Sequence, residues 1–141
     1  MSVTVVILII TCIVSFLAFS NHDIINKLIF YPPAINREKQ WYRFFSCGLI
    51  HADMGHLAFN MISLFLFGKL VENAFTEIFG SKGELLYIIM YVSALGVCLI
   101  PTYNKHKDDY SYRSLGASGA VSAVVFAGIF IYPVYKIGIL F

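Results

Sequence analysis

Charge is what this sequence lacks most: Asp, Glu, Lys and Arg supply 13% of its 141 residues, whereas hydrophobic side chains supply 59%. A water-soluble domain normally carries roughly twice that share of charge, which excludes an ordinary soluble globule and predicts an integral membrane protein. The basic and acidic residues are interspersed and nearly balance, at a net +2, so no basic patch or stripe marks a nucleic-acid partner. Cysteine is scarce as well. Cys12, Cys47 and Cys98 lie far apart, are odd in number and form no CxxC pair, which predicts neither a disulfide framework nor a metal site and leaves them as packing residues. Nothing basic precedes the first apolar run, so although Ala18-Phe19-Ser20 imitates a signal-cleavage site, a retained first span is expected.

What is present is a series of apolar runs of membrane-crossing character separated by polar stretches. The first covers residues 3–19 and reads as plain anchor. A long aromatic connection follows to about residue 52, broken by Pro32 and Pro33. Its Trp41, Tyr42, Phe44 and Phe45 are too dense for a solvated loop and are expected at the membrane interface. Span two begins near His56 and ends near Val71 or a turn later. Span three covers about 85–100 and stops at Pro101, and residues 102–115 read as a solvated loop. Span four runs from Gly116 to about Tyr132. Residues 137–141 look like the opening of a fifth span, which makes the chain look incomplete.

Alternation of direction puts the N-terminal ends of spans two and four on one face of the membrane. His56 and Asn60 open the former; Gly116, Ser118 and Gly119 open the latter. Four residues apart on a helix, His56 and Asn60 share a face and can point at one neighbour. His51 and His56, five apart, would sit about 140° around a helix, so the i,i+4 zinc pair is not made and no metal is expected. Polar groups this close to hydrocarbon need a partner or a function.

Gly116-Ala117-Ser118-Gly119-Ala120 opens a helix rich in small residues, which alone reads as close helix packing. Yet Ser118 also falls in a first turn, beside a loop that admits water and beside unpaired N–H groups at the positive dipole end. A hydroxyl placed there can attack a carbonyl while those N–H groups, with His56 and Asn60, stabilise the oxyanion. Its activating base is the gap. None of the four histidines follows Ser118; His22 and His106 read as solvated bystanders, and a Ser118–His56 dyad would leave the oxyanion short of a donor.

Trp41-Tyr42-Arg43, the run from His51 through His56 and Asn60 to Met61, Phe67-Gly68 through Glu72, and Gly116-Ala117-Ser118-Gly119 together resemble the rhomboid family in order and spacing. The resemblance implies an all-α, polytopic transmembrane bundle of six helices, of which residues 1–141 would supply about four complete spans as a single, C-terminally incomplete domain. It implies an intramembrane serine endopeptidase, without metal or cofactor, cutting transmembrane protein substrates in or beside their membrane segments, and a multi-pass location in which a bacterial inner membrane is favoured. Ser118 would be the nucleophile and His56 and Asn60 the oxyanion donors. His51, Gly116, Gly119, Trp41, Arg43 and Glu72 would support the site and the fold, with Glu72 tying helices together. The family's base is a histidine of the sixth helix, before which this chain ends. Tyr42 interrupts the family's tryptophan-arginine pair, and Ser122 stands where some members have a tyrosine.

Charge sidedness points the other way from the resemblance. Four basic residues in the first connection and three after span three, against two around the second loop, put the site in the cytoplasm by the positive-inside rule, whereas the resemblance faces it outward. Two readings compete with the protease: a rhomboid-like pseudoprotease that binds membrane clients without cutting them, and a membrane scaffold or transporter part. The second expects polar groups at the midplane rather than near one face.

Overall fold

The computed structural model describes residues 2–133, and among them the architecture is a helix bundle with no β-strand, only an isolated bridge between Phe30 and Ser114. The expected fifth span lies outside the described residues. The first helix, α1 (Val3–Phe19), has the bounds its apolar run predicts. It is not plain anchor, however: Thr4, Thr11 and Ser15 are all buried, so a hydroxyl stripe faces the bundle. At its N-terminus Ser2 makes no side-chain cap. That role falls to Glu72, whose carboxylate accepts from Ser2 Oγ at 2.6 Å, Val3 N at 2.7 Å and Thr4 N at 3.0 Å. A helix start leaves its first N–H groups unpaired and carries a positive dipole end, so a buried carboxylate there satisfies both needs at once.

Through the connection run α2 (His22–Leu28), α3 (Pro32–Glu38), α4 (Arg43–Ser46) and a 3₁₀ turn, Cys47–Leu49. Carbonyls at the end of α2 would be orphaned without help. Arg43 Nη1 donates to Asn26 O and Ile29 O at 2.9 and 2.7 Å, Tyr42 Oη to Lys27 O, and Ser46 Oγ to Leu28 O. Arg43 is thus buried but hydrogen-bonded through Nε and Nη1, a cation at a helix C-terminus. Trp41 and Tyr42 stay half exposed at the surface.

Span two is longer than the sequence suggests. Helix α5 (Met54–Phe79) continues past Glu72, because that charge is matched by α1 and no breaker intervenes before Gly80, at φ 58°. A tight turn follows and α6 (Gly83–Val97) folds back, with Gly83 so close to Phe75 and Thr76 of α5 that a Cβ would collide with their backbone. The apolar stretch Met54–His106 is long enough to cross a membrane, and the hairpin at Gly80 divides it; α1 and α8 (Ser118–Ile131) are shorter apolar helices. Pro101 does not end span three. It sits in the first turn of a further helix, α7 (Ile100–His106), where its missing N–H costs nothing. The stretch read as a solvated loop therefore begins as helix, and its Tyr103 and Tyr112 pack on Phe30, Ile35 and Phe44.

The main core gathers α1, α5, α6 and α8 around Leu57, Leu64, Val71, Tyr87, Tyr91 and Val124. Outward faces remain apolar: Phe59 and Ile62 on α5 and Phe126 and Phe130 on α8 are exposed, a surface that suits hydrocarbon and not water. Replacing Glu72 with alanine is expected to destabilise the bundle by about 2–4 kcal/mol, through loss of charge-assisted bonds to the α1 terminus. Thermal unfolding in detergent should show Glu72→Ala melting well below Glu72→Gln, which keeps an acceptor oxygen; equal melting of Glu72→Ala and wild type would reject the capping role.

Candidate active site

Asp53 starts α5 by accepting from His56 N at 2.8 Å, a side-chain N-cap that fixes His56 in the first turn. Asn60 follows one turn later on the same face, 2% exposed, with its Nδ2 donating to His56 O at 2.9 Å. That bond uses one amide proton and leaves the second free to donate elsewhere.

Ahead of α8, the bridge of Phe30 to Ser114 pins the incoming chain to the connection, and Gly116 N donates to Cys47 O at 2.9 Å. Gly116 adopts φ 114°, which a side chain would resist, and a Cβ there would lie 2.7 Å from Cε1 of His56. The His56 ring therefore rests directly on the backbone two residues before Ser118. Ser118 is exposed as the first residue of α8, and the N–H groups of Ser118 and Gly119 have no intrahelical acceptor. Gly119 in turn lets α8 approach Cys98, in the turn just after α6. Beside Ser118 opens a cavity of about 160 Å³ lined by Cys47, Leu95, Cys98, Leu99 and Gly119 among others. A larger, apolar cavity of about 680 Å³ between α1, α4 and α6 holds none of the candidate catalytic residues.

His51 is 1% exposed, its ring edge-on to that of His56 with centroids 5.0 Å apart. Its Nδ1 is 3.0 Å from Ser15 Oγ, and its Nε2 accepts from Ala117 N at 3.4 Å. Burial, reinforced by His56, lowers its pKa from 6.5 to about 4. His106 is engaged elsewhere, bonded to Asp109 at 2.9 Å and stacked on Tyr112. Among the described residues no hydrogen bond links Ser118 Oγ to an imidazole, and no group of three or more His, Cys, Asp or Glu gathers as for a metal.

The structure thus brings His51, His56, Gly116, Ala117 and Ser118 to one corner, with Asn60 a turn away on α5. Trp41 and Arg43 organise the connection, and Glu72 lies toward the other end of α5 with the start of α1. Sequence reasoning missed Ser15 and the thiols of Cys47 and Cys98 at the Ser118 cavity. Ser15 carried a usable signal, since it continues the spacing of Thr4 and Thr11 along one face of an otherwise apolar helix.

These elements define a membrane-embedded helical bundle with a serine at a helix start beside paired imidazoles. Residues 38–141 match the family model of the rhomboid domain, and the chain belongs to the rhomboid family. It is similar to "Putative rhomboid protease YdcA" of Bacillus subtilis (strain 168), at 30% identity over 67% of this chain and 42% of that protein. It is also similar to "RHOMBOID-like protein 12, mitochondrial" of Arabidopsis thaliana, at 31% identity over 59% of this chain and 27% of that protein. The chain spans less than half the length of these relatives. No solved structure matches it.

Because the folded state holds His51 neutral while the unfolded chain protonates near 6.5, the His51 contribution is complete above that pH and is lost as pH falls toward about 4. Melting temperature measured across this window should fall more steeply for wild type than for His51→Gln; parallel curves would contradict the buried neutral ring. Gly116→Ala, which puts a Cβ 2.7 Å from the His56 ring at a positive φ, should lower the melting temperature in detergent by several degrees; unchanged melting would show the contact to be dispensable.

Proposed function

We propose that this chain is the Ser118-bearing part of a multi-pass intramembrane serine endopeptidase that cleaves peptide bonds in or near transmembrane segments of membrane proteins. The observation that supports the proposal is the contact of the His56 ring with the Gly116 backbone, two residues before an exposed serine at a helix start. In this reading Ser118 Oγ attacks the scissile carbonyl, and its own N–H, with His56 and Asn60, receives the developing negative charge. His51 has both ring nitrogens engaged and His106 is held by Asp109. The family resemblance implies that the proton acceptor is a histidine of a later helix, outside residues 1–141. Membership of the rhomboid family supports this reading.

The experiment is fluorophosphonate labelling of the chain expressed with its natural downstream sequence. Labelling is expected in wild type, to vanish in Ser118→Ala and to slow about a hundredfold in His56→Ala or Asn60→Ala. Labelling that survives Ser118→Ala would overturn the assignment. A wild type that binds membrane clients but never labels would favour the non-cutting, client-binding reading, for which the Ser118 hydroxyl without a hydrogen-bonded imidazole among the described residues is the motivating observation.

A further inference from the structure

We propose that Ser15 and His51 are positioning residues that hold the turn before Ser118 through a one-way hydrogen-bond relay, with His51 fixed as the tautomer protonated on Nδ1. The direction follows from counting protons. Ser15 Oγ lies 2.9 Å from Leu49 O and 3.0 Å from His51 Nδ1. A carbonyl only accepts, so the single hydroxyl proton goes to Leu49 and Nδ1 must donate to Ser15. On the opposite edge, Ala117 N–H only donates, so Nε2, 3.4 Å away, must be bare. Two independent contacts therefore select one tautomer.

The alternatives each break a bond in the interior. A proton on Nε2 would confront the Ala117 N–H and require the Ser15 proton at Nδ1, orphaning Leu49 O. An imidazolium would keep the Ser15 bond and lose Ala117. The depressed pKa of His51 agrees with a neutral ring; the titratable group against it is His56 on α5.

The consequence lies one residue from the nucleophile. Gly116 N–H is drawn to Cys47 O and Ala117 N–H to His51, so two successive amides are anchored in the interior. The next N–H groups, of Ser118 and Gly119, remain without an intrahelical acceptor at the helix start. Ser15 meets this corner through His51, and α1 thereby sets the orientation of a turn at the head of α8. The catalytic consequence rests on the protease reading above; the tautomer does not.

The test uses the full natural chain in detergent micelles with ¹⁵N-labelled histidine, His51 being assigned by comparison with His51→Gln. The expected spectrum shows a protonated Nδ1 and a bare Nε2 for His51, and a proton on Nε2 would overturn the relay. Ser15→Ala, which takes the Ser15 partner from Leu49 O and from the Nδ1 proton, is expected to melt below wild type; it should also speed exchange of the His51 Nδ1 proton with solvent and slow fluorophosphonate labelling of Ser118 about fivefold or more. Ser15→Thr, which restores a hydroxyl, should recover both. Unchanged Nδ1 proton exchange and labelling in Ser15→Ala would also overturn it. If wild type fails to label, the protease reading falls while the wild-type spectrum still decides the relay.

Discussion

The site depends on the absence of a side chain at Gly116. With a Cβ there, the His56 ring would be pushed off the backbone it rests on, and the beginnings of α5 and α8 would no longer meet. Everything near Ser118 is arranged around that approach: Asp53 fixes the turn that carries His56, Gly119 admits Cys98, and the bridge between Phe30 and Ser114 delivers the chain at the required height. Small residues permit helices to come close, but here the close contact is between a ring and a backbone rather than between two helix faces.

The second constraint is that buried polar groups need partners, and the bundle meets it with long-range bonds. Glu72 serves the N-terminus of α1, Arg43 and its neighbours serve the C-terminus of α2, and His51 serves the amide ahead of α8. Each links segments distant in sequence, so satisfying a backbone group also fixes how elements sit against one another. Among the described residues the exception is the Thr11 hydroxyl, buried without a partner where α1 borders the large apolar cavity.

Much of this was legible before the structure. The apolar run of residues 3–19 gave α1 its bounds, and span direction alone brought His56 and Gly116 to the same face. What could not be read was set by partners. Nothing local says that α5 runs on past Glu72 as far as Phe79, since a carboxylate in an apolar helix is tolerable only once Ser2, Val3 and Thr4 lie against it. Pro101 was misjudged because proline both stops one helix and opens another, and only the chain's turn at residues 98–99 decides which. His51 was expected to support the site, but the contact it makes with Ser15, 36 residues away across a span that looked featureless, left no trace beside it in the sequence.

That featureless span turns out to be fastened at both ends. At its start the backbone amides of α1 are held by Glu72, and Thr4 Oγ1 donates to Tyr87 Oη on α6; near its end Ser15 binds Leu49 and His51. Between these points α1 contributes mainly apolar contacts, which resist separation but specify position weakly, because dispersion is nearly indifferent to small slides along a smooth surface. Hydrogen bonds are directional, so two sets of them at opposite ends define the register that apolar packing leaves loose. A slide of α1 by one turn, about 5.4 Å, would break both sets together. Helix α1 therefore acts as a strut whose far attachment at Glu72 helps determine where Ser15 meets His51, and a disturbance on one side of the bundle reaches the turn before Ser118 through a rigid helix rather than through a chain of adjustable side chains.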